Sequence, residues 1–187
     1  CIRDRSGAMR DRVVAEDASP SNPVSLIVDD MYYLMPYENS LIVMSMNGPQ
    51  IKEVLERSYR NWWWYNQGDP WGGYSHYTTC MLATNEGNVI TYTGDLATEP
   101  DGNNVASLTI DGNPVDFADA STVYHVSSVN YVAAGSCNFN NDGETIWPLD
   151  QIEYDTQFYV RDTVIDYIKA QGTVAPMVEG RLQFPVP

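Results

Sequence analysis

Histidine and acidic side chains are the residues best suited to bind a catalytic metal ion, and this chain has two histidines, His76 and His125. A two-metal phosphoesterase centre needs several such ligands around ions about 3.5–4 Å apart. Neither histidine stands in an Asp-x-His, His-x-His or Asn-His pair. His125 lies in a strand pattern, so we expect a hydrogen-bonded structural role, and His76 lies in a Gly/Tyr-rich loop, where a surface position and a ligand contact are both open. The sequence predicts no metal site.

Signatures of other catalytic centres are also missing from the sequence. It contains no Gly-rich phosphate loop with a lysine, no G-x-S-x-G elbow and no Cys/His spacing suited to a nucleophile. Asp95 is an isolated carboxylate after a predicted strand, so we expect it to form a turn. We predict no catalytic residue in this chain.

The three cysteines, Cys1, Cys80 and Cys137, are too few for a disulfide scaffold, and their spacing fits neither a zinc site nor a C-x-x-C redox motif. At most one disulfide can form among them. A cysteine at position 1 is typical of a processed lipoprotein, but the start of a fragment would look the same, so lipid anchoring through Cys1 stays open. No apolar run reaches the roughly 18 residues of a membrane span.

The charge of the chain restricts its partners. Its 187 residues suffice for one domain with a substantial core, and 10 basic against 25 acidic side chains give a formal net charge of −15. Such a charge argues against nucleic acid and against anionic membranes as partners. A small phosphorylated ligand is still compatible, because a few arginines can reverse the field locally. The 13 tyrosines and 5 tryptophans exceed the needs of a core, so we expect some of them at a ligand or partner surface.

The first half of the chain shows one strand between two helices. Apolar residues at near-helical spacing between 24 and 35, followed by Pro36, predict a short amphipathic helix. The β-branched run at 40–46 predicts a buried strand that ends in an Asn-Gly turn. From Gln50 the apolar period is that of a second helix, in which Glu53 and Arg57 form a favourable i, i+4 pair.

The second half of the chain is richer in short strands. They are predicted at 77–82, 88–93, 105–110, 122–127 and 182–184, and the middle ones suggest an antiparallel section. A last helix is predicted to begin near Asp155 or Thr156, to carry Lys169 in its final turn and to end at Gly172. Because helices and strands alternate irregularly, we predict a layered α+β domain rather than a regular βαβ array.

Five short motifs occur in a fixed order along most of the chain. They read Arg-Ser-Gly-Ala-Met-Arg at 5–10, Leu-Met-Pro-Tyr-Glu-Asn-Ser-Leu at 34–41, Met-Asn-Gly-Pro-Gln-Ile-Lys-Glu-Val-Leu-Glu at 46–56, Asn-Tyr-Val-Ala-Ala-Gly at 130–135 and Val-Glu-Gly-Arg-Leu at 178–182. In this order they resemble Asn-x-Gly-x-Ile-Arg, Leu-x-Pro-Phe-x-Asn-x-Leu, Thr-Gly-x-x-Leu-x-x-x-Leu-Glu, Asn-Phe-x-Ala-x-Gly-Gly-Asp and (Glu/Asp)-Gly-Arg-Ile. These are motifs of the C-terminal domain of the 5′-nucleotidase family. The Tyr-Glu-Asn sequence at 37–39 and the Trp-rich helix end are more similar to the 2′,3′-cyclic-nucleotide 2′-phosphodiesterase branch of the family than to strict 5′-nucleotidases.

The resemblance implies substrate-binding roles for five residues. Two aromatic rings clamp the nucleobase in the family, and their positions are Tyr37 and Tyr131 here. The motif arginine, which helps hold the phosphate or ribose side, corresponds to Arg10, and the motif asparagines correspond to Asn39 and Asn130. Stacking on a tyrosine face contributes about 1–3 kcal/mol per base. The alternative for both tyrosines is a position in the core beside tight turns.

Three positions depart from the family pattern. The first motif asparagine is Arg5 here, the second glycine of Gly-Gly-Asp is Ser136, and the aspartate is Cys137. A carboxylate that contacts the ribose is therefore missing. We expect the affinity for the ligand, or its identity, to differ from that of the family.

The resemblance also implies what the chain lacks. In the family a larger N-terminal domain holds two divalent metals and hydrolyses the substrate that the C-terminal domain presents. We therefore expect one domain over 1–187, with an incomplete N-terminal edge and no cofactor of its own. It would bind a nucleotide or nucleoside and work with a metallophosphatase domain or chain, in the periplasm or outside the cell. The alternative is a non-catalytic envelope or extracellular interaction protein, in which an aromatic surface over 62–65 and Trp71 binds a carbohydrate or protein.

Overall fold

The computed structural model describes residue 19 and residues 21–67, 81–95, 97–175 and 178–184. Helices and strands alternate irregularly over this part of the chain, which confirms the predicted mixed α+β fold. In chain order the elements are α1 Val28–Leu34, β1 Ser40–Asn47, α2 Gly48–Asn66, β2 Val89–Tyr92, β3 Val105–Ile110, β4 Asn113–Pro114, β5 Val123–Val129, α3 Asn130–Ala133, β6 Asn140–Asn141, β7 Glu144–Thr145, β8 Ile152–Tyr159, α4 Val160–Gln171 and β9 Leu182–Gln183.

Strand β1 is the centre of a three-stranded antiparallel sheet with the order β5-β1-β8. Because side chains alternate along a strand, every second residue of β1 faces the core. The buried side chains are Ser40, Ile42, Met44 and Met46. β1 pairs with β5 without a break from Leu41 opposite Val129 to Asn47 opposite Val123. The beginning of β1 and the end of β5 therefore lie at the same end of the sheet, which we call the Ser40 end.

A second sheet has the strand order β4-β3-β2-β9. Strands β2, β3 and β4 are antiparallel neighbours, as predicted for the middle of the chain. The closing strand β9 is also confirmed, and it runs parallel to β2, with Ile90 opposite Leu182. The predicted strand at 77–82 lies mostly outside the described residues, and residues 81 and 82 are not in a strand.

Helix α2 begins directly at the end of β1. The side chain of Asn47 accepts a hydrogen bond from the Gln50 N–H at 3.1 Å, and the Gln50 side chain accepts one from the Asn47 N–H at 2.9 Å. This reciprocal capping box satisfies two N–H groups that the first helical turn leaves unpaired, and Pro49 fits there because its position needs no N–H. The predicted Asn-Gly turn is therefore wrong: the strand passes into the helix through a cap.

Helix α2 contacts both β1 and β3, so the hydrophobic core forms around it. Its buried apolar side chains are Ile51, Val54, Leu55, Tyr59 and Trp63. They pack with apolar residues from both sheets and from α3, namely Ile42, Met44, Met46, Ile90, Tyr92, Val105, Leu108, Val132 and Ala133.

The tryptophans at the end of α2 belong to this packing. Trp63 is buried, and the half-buried Trp62 ring lies 4.7 Å from Phe184, centroid to centroid. The half-buried Trp64 contacts Trp63 edge-on at 5.1 Å. Of residues 62–65 only Tyr65 is exposed, so this segment does not form the open aromatic surface that the interaction-protein alternative requires. Trp71, the other part of that surface, lies outside the described residues.

The last helix begins later than predicted. Residues 152–159 form β8, and α4 starts at Val160 rather than near Asp155. β8 pairs with β1 through two register shifts, and Gln157 adopts a positive φ of 55° within one of them. This irregular pairing is a tertiary contact, which a local apolar period does not reveal. The end of α4 at Gly172 and the position of Lys169 in its last turn are confirmed.

Candidate functional site

Four of the predicted substrate-binding residues flank the Ser40 end of the first sheet. Tyr37 and Asn39 precede β1, while Asn130 and Tyr131 directly follow β5. Because Leu41 pairs with Val129 and the strands are antiparallel, both segments leave the sheet at the same end. The structure thus brings together two pairs of residues that lie far apart in the sequence. Arg10, the fifth predicted residue, lies outside the described residues.

Tyr37 and Tyr131 are both open to solvent. Tyr37 is 59% exposed and Tyr131 is 55% exposed, so neither is a core side chain. An aromatic ring has apolar faces and is stabilised when a flat partner covers them. Two exposed rings at one end of a sheet are a suitable surface for a planar aromatic ligand.

Tyr131 is held by the short helix α3. Val132 and Ala133 on this helix are buried, which leaves Tyr131 on its exposed side. The side-chain oxygen of Asn130 accepts a hydrogen bond from the Tyr131 N–H at 2.8 Å and so fixes the start of the helix. On the opposite segment, the Asn39 carbonyl accepts a hydrogen bond from the Val160 N–H at 2.9 Å. The segments that carry Tyr131 and Asn39 are therefore both attached to helices or strands of the fold.

A loop over residues 135–141, which we call the 135–141 loop, follows α3. Cys137 and Asn138 adopt consecutive left-handed conformations, with φ of 58° and 63°. Side chains other than glycine rarely adopt this conformation unless other contacts impose it. Cys137 is disulfide-bonded, which agrees with the expectation of at most one bridge in the chain. The other two cysteines, Cys1 and Cys80, both lie outside the described residues.

Two side chains of α2 attach this loop to the core. Arg57 donates hydrogen bonds to the Asn138 carbonyl at 2.7 Å, to the Asn140 carbonyl and to the side-chain oxygen of Asn141. The Asn61 side-chain NH2 group donates to the Cys137 carbonyl at 2.8 Å, and the Asn61 side-chain oxygen accepts from the side-chain NH2 group of Asn138 at 3.1 Å. Sequence reasoning missed this role of Arg57 and Asn61.

The charge environment of Arg57 combines burial with two neighbouring charges. Burial and then the neighbouring Arg60 lower the pKa of the Arg57 guanidinium, and the Glu53 carboxylate opposes the shift. The predicted i, i+4 interaction of Glu53 with Arg57 is thus favourable, but it is not a contact ion pair, because the Arg57 guanidinium binds the loop. The ion pair that forms on this helix is Lys52 with Glu56, at 3.2 Å.

His125 and Asp95 have the structural roles that the sequence predicts. His125 Nδ1 lies 2.9 Å from one oxygen of Glu153, and the Ser45 hydroxyl donates to the other oxygen. Serine and histidine thus contact one carboxylate rather than each other, so the imidazole is not placed to activate the hydroxyl. Asp95 caps a turn by accepting hydrogen bonds from the N–H groups of Ala97 and Thr98 at 2.9 and 2.8 Å.

No three His, Cys, Asp or Glu side chains of the described residues are grouped so that they could hold a metal ion. His76 lies outside these residues. Likewise, no helix in the described part of the chain is long and apolar enough to cross a membrane.

The chain belongs to the family of 5′-nucleotidase C-terminal domains, whose sequence model, described as "5'-nucleotidase, C-terminal domain", matches residues 9–141. No curated protein sequence matches the chain. The resemblance found in its motifs is thus confirmed at the level of the family.

Solved structures share the fold. The 5′-nucleotidase precursor from Thermus thermophilus is 22% identical, with a TM-score of 0.62 over 85% of this chain and 28% of that chain. The NAD nucleotidase from Haemophilus influenzae is 19% identical, with a TM-score of 0.59 over 87% and 27%. A putative 5′-nucleotidase from Staphylococcus aureus, solved in complex with alpha-ketoglutarate, is 18% identical, with a TM-score of 0.55 over 83% and 29%. The chain therefore spans less than a third of the length of each of these proteins.

Proposed function

We propose that this chain is the nucleotide-recognition domain of a 5′-nucleotidase-type phosphohydrolase and that Tyr37 and Tyr131 stack on the two faces of the nucleobase. The observation that carries the proposal is the pairing of Leu41 with Val129, which brings two exposed tyrosines to one end of the first sheet. Membership of the 5′-nucleotidase C-terminal domain family supports a nucleotide or nucleoside as the ligand.

The remaining groups at the Ser40 end suit the polar parts of such a ligand. Asn130 is exposed, and since its side-chain oxygen accepts from the Tyr131 N–H, its NH2 group is the part that can donate to a base or sugar oxygen. The half-buried Asn39 precedes β1 on the other segment. Arg10 takes the phosphate or ribose side, because a guanidinium can contact two oxygens at once. The loss of a carboxylate at Cys137 favours a ligand that is held mainly through its base and phosphates.

Hydrolysis belongs to a separate metallophosphatase domain or chain in this proposal. Two divalent metals would bind there, polarise the phosphate and activate the attacking water. The part of the present chain is to hold the base so that the phosphate reaches those metals. The short span of the chain relative to its structural neighbours is consistent with such a division of labour.

We place this activity in the periplasm or outside the cell, with Cys1 as an optional lipid anchor. The disulfide at Cys137 supports an oxidising compartment, since disulfides persist there and are reduced in most cytosols. The Thermus neighbour is described as a precursor, which agrees with a protein that is processed.

Titration of the chain with AMP and adenosine, followed by tyrosine and tryptophan fluorescence, tests the proposal. We expect saturable binding, and we expect Tyr37→Ala and Tyr131→Ala each to weaken it about 5- to 150-fold, which corresponds to about 1–3 kcal/mol of lost stacking. Tyr131→Phe keeps the stacking face and should bind nearly as well as the wild type.

Tyr154→Ala is the matched control for these variants. Tyr154 is 66% exposed, but it lies opposite Val43 in the middle of the sheet rather than at its Ser40 end. We expect this variant to bind AMP like the wild type. A folded wild-type chain that shows no response at millimolar ligand would overturn the proposal, and so would Tyr37→Ala and Tyr131→Ala variants that bind as tightly as Tyr154→Ala.

A further inference from the structure

We propose that Arg57 and Asn61 of α2 are positioning residues that set how strongly the sugar and phosphate part of the nucleotide contributes to binding. They would act through the 135–141 loop, which they hold in one conformation close to Tyr131. The inference rests on the function proposed above and assigns a role to the buried Asn61 and the half-buried Arg57, which are not among the residues predicted to contact the ligand.

The loop starts close in sequence to Tyr131, one of the two tyrosines proposed to stack on the nucleobase. Only three residues separate Tyr131 from Gly135, which adopts a φ of 93° and lets the chain reverse after α3. A Cβ at Gly135 would lie 3.2 Å from the Asn140 Cβ and 3.3 Å from the Thr145 backbone, so the turn is closely packed. A displacement of the loop would therefore move the end of α3, the helix that carries Tyr131.

The contacts of Arg57 and Asn61 specify the conformation of the loop and not only its location. Asn61 is 1% exposed and binds Cys137 and Asn138, the two consecutive left-handed residues, through one donor and one acceptor. Arg57 uses its planar fork on the backbone carbonyls of Asn138 and Asn140 and on the side-chain oxygen of Asn141. These bonds stabilise the left-handed conformations of Cys137 and Asn138, which side chains other than glycine rarely adopt.

The chemistry of the loop gives this conformation a functional consequence. Ser136 and Cys137 stand at positions where the family pattern has a glycine and an aspartate, and Cys137 has no carboxylate to offer a ribose. Recognition of the sugar by this segment must then rely on the directions of backbone groups and short polar side chains. Those directions are the property that Arg57 and Asn61 determine together with the disulfide at Cys137.

The experiment compares Arg57→Met with Arg60→Met in the whole chain. Both substitutions remove one positive charge from α2, but Arg60 is exposed and makes no contact with the loop among the described residues. We expect Arg57→Met to weaken AMP binding about tenfold and adenine binding less than twofold, and Arg60→Met to leave the ratio of the two affinities unchanged. Arg57→Lys should restore part of the ratio, because an ammonium group can still donate to the carbonyls.

Amide hydrogen exchange of the same variants gives a second readout, which does not depend on the ligand. Exchange at residues 138–141 should be at least tenfold faster in Arg57→Met and in Asn61→Ala than in Arg60→Met, while exchange in β1 stays slow. If the wild type does not bind AMP, the proposed function fails and the exchange result alone decides whether the two residues hold the loop. If the wild type binds AMP and Tyr131→Ala does not, but Arg57→Met keeps the wild-type ratio of AMP to adenine affinity, the inference fails and the function stands.

Discussion

The carboxylate of Glu56 offers a sharp test of how α2 connects the core to the second sheet. Glu56 is 9% exposed, and its two oxygens accept hydrogen bonds from the N–H groups of Asn104 at 3.0 Å and Val105 at 2.8 Å. Both donors belong to residues that are themselves buried, where water cannot replace the carboxylate. Lys52 forms an ion pair with the same side chain at 3.2 Å.

The substitution Glu56→Ala leaves two buried N–H groups without an acceptor. Each unsatisfied group lowers the free energy of unfolding by about 1–3 kcal/mol, so we expect a total loss of about 2–6 kcal/mol. Glu56→Gln keeps one oxygen acceptor but presents an NH2 group to the other donor, and an intermediate loss follows. Lys52→Met removes a partly exposed ion pair and should lower the free energy of unfolding by less than about 1 kcal/mol.

Urea unfolding followed by tryptophan fluorescence measures these differences. With a slope of about 2 kcal/mol/M, the midpoint of Glu56→Ala should fall by about 1–3 M, and the slope itself should not change. The reasoning is refuted if Glu56→Ala lies within about 0.5 kcal/mol of the wild type at an unchanged slope. It is also refuted if Lys52→Met is as destabilising as Glu56→Ala. The loss of stability in Glu56→Ala would then come from the broken ion pair and not from the two unpaired N–H groups.

Two further predictions concern local structure. Asn47→Ala removes the cap of α2 and should lower the free energy of unfolding by about 1 kcal/mol in the same urea assay; an equal stability of variant and wild type contradicts the capping box. Hydrogen bonds from Ser121 and Thr122 hold the pKa of the Asp119 carboxyl well below its ordinary value of 3.8. A lowered pKa stabilises the fold above the pKa of the unfolded state, and this contribution disappears as the pH falls through the folded pKa. The stability difference between wild type and Asp119→Asn should therefore be largest above about pH 5 and shrink below about pH 4, whereas a constant difference from about pH 2 to 7 contradicts the assignment.

Elements that depend on local pattern were the ones that the sequence predicted well. Alternation along 40–46 and the helical period from Gln50 each bury one continuous face, so β1 and α2 follow from periods of about two and 3.6 residues. Strand β8 was missed because its pairing with β1 includes two register shifts and a positive φ at Gln157. The spacing of apolar residues in the sequence reveals neither feature. At Asn47 the sequence is ambiguous between a turn and a cap, since asparagine suits both.

The candidate site was predictable in its residue types but not in its support. Tyr37 and Tyr131 could be singled out from motifs, and their common position at the Ser40 end followed only once the register of β1 and β5 was known. Arg57 and Asn61 reach loop residues 81 and 76 positions further along the chain. No local sequence pattern relates such distant residues. The i, i+4 spacing on α2 instead predicted that Arg57 interacts with Glu53 on the same helix.

The measurement that tests the central claim most directly is nuclear magnetic resonance of tyrosine rings during titration with AMP, adenosine and ribose 5-phosphate. The chain has 13 tyrosines, so the signals of Tyr37 and Tyr131 are assigned from Tyr→Phe variants. We predict that both ring signals shift with AMP and with adenosine, at one common dissociation constant for each ligand, and that neither shifts with ribose 5-phosphate, because only a base can lie between the rings. Saturable binding of AMP that leaves both ring signals unmoved would contradict the account.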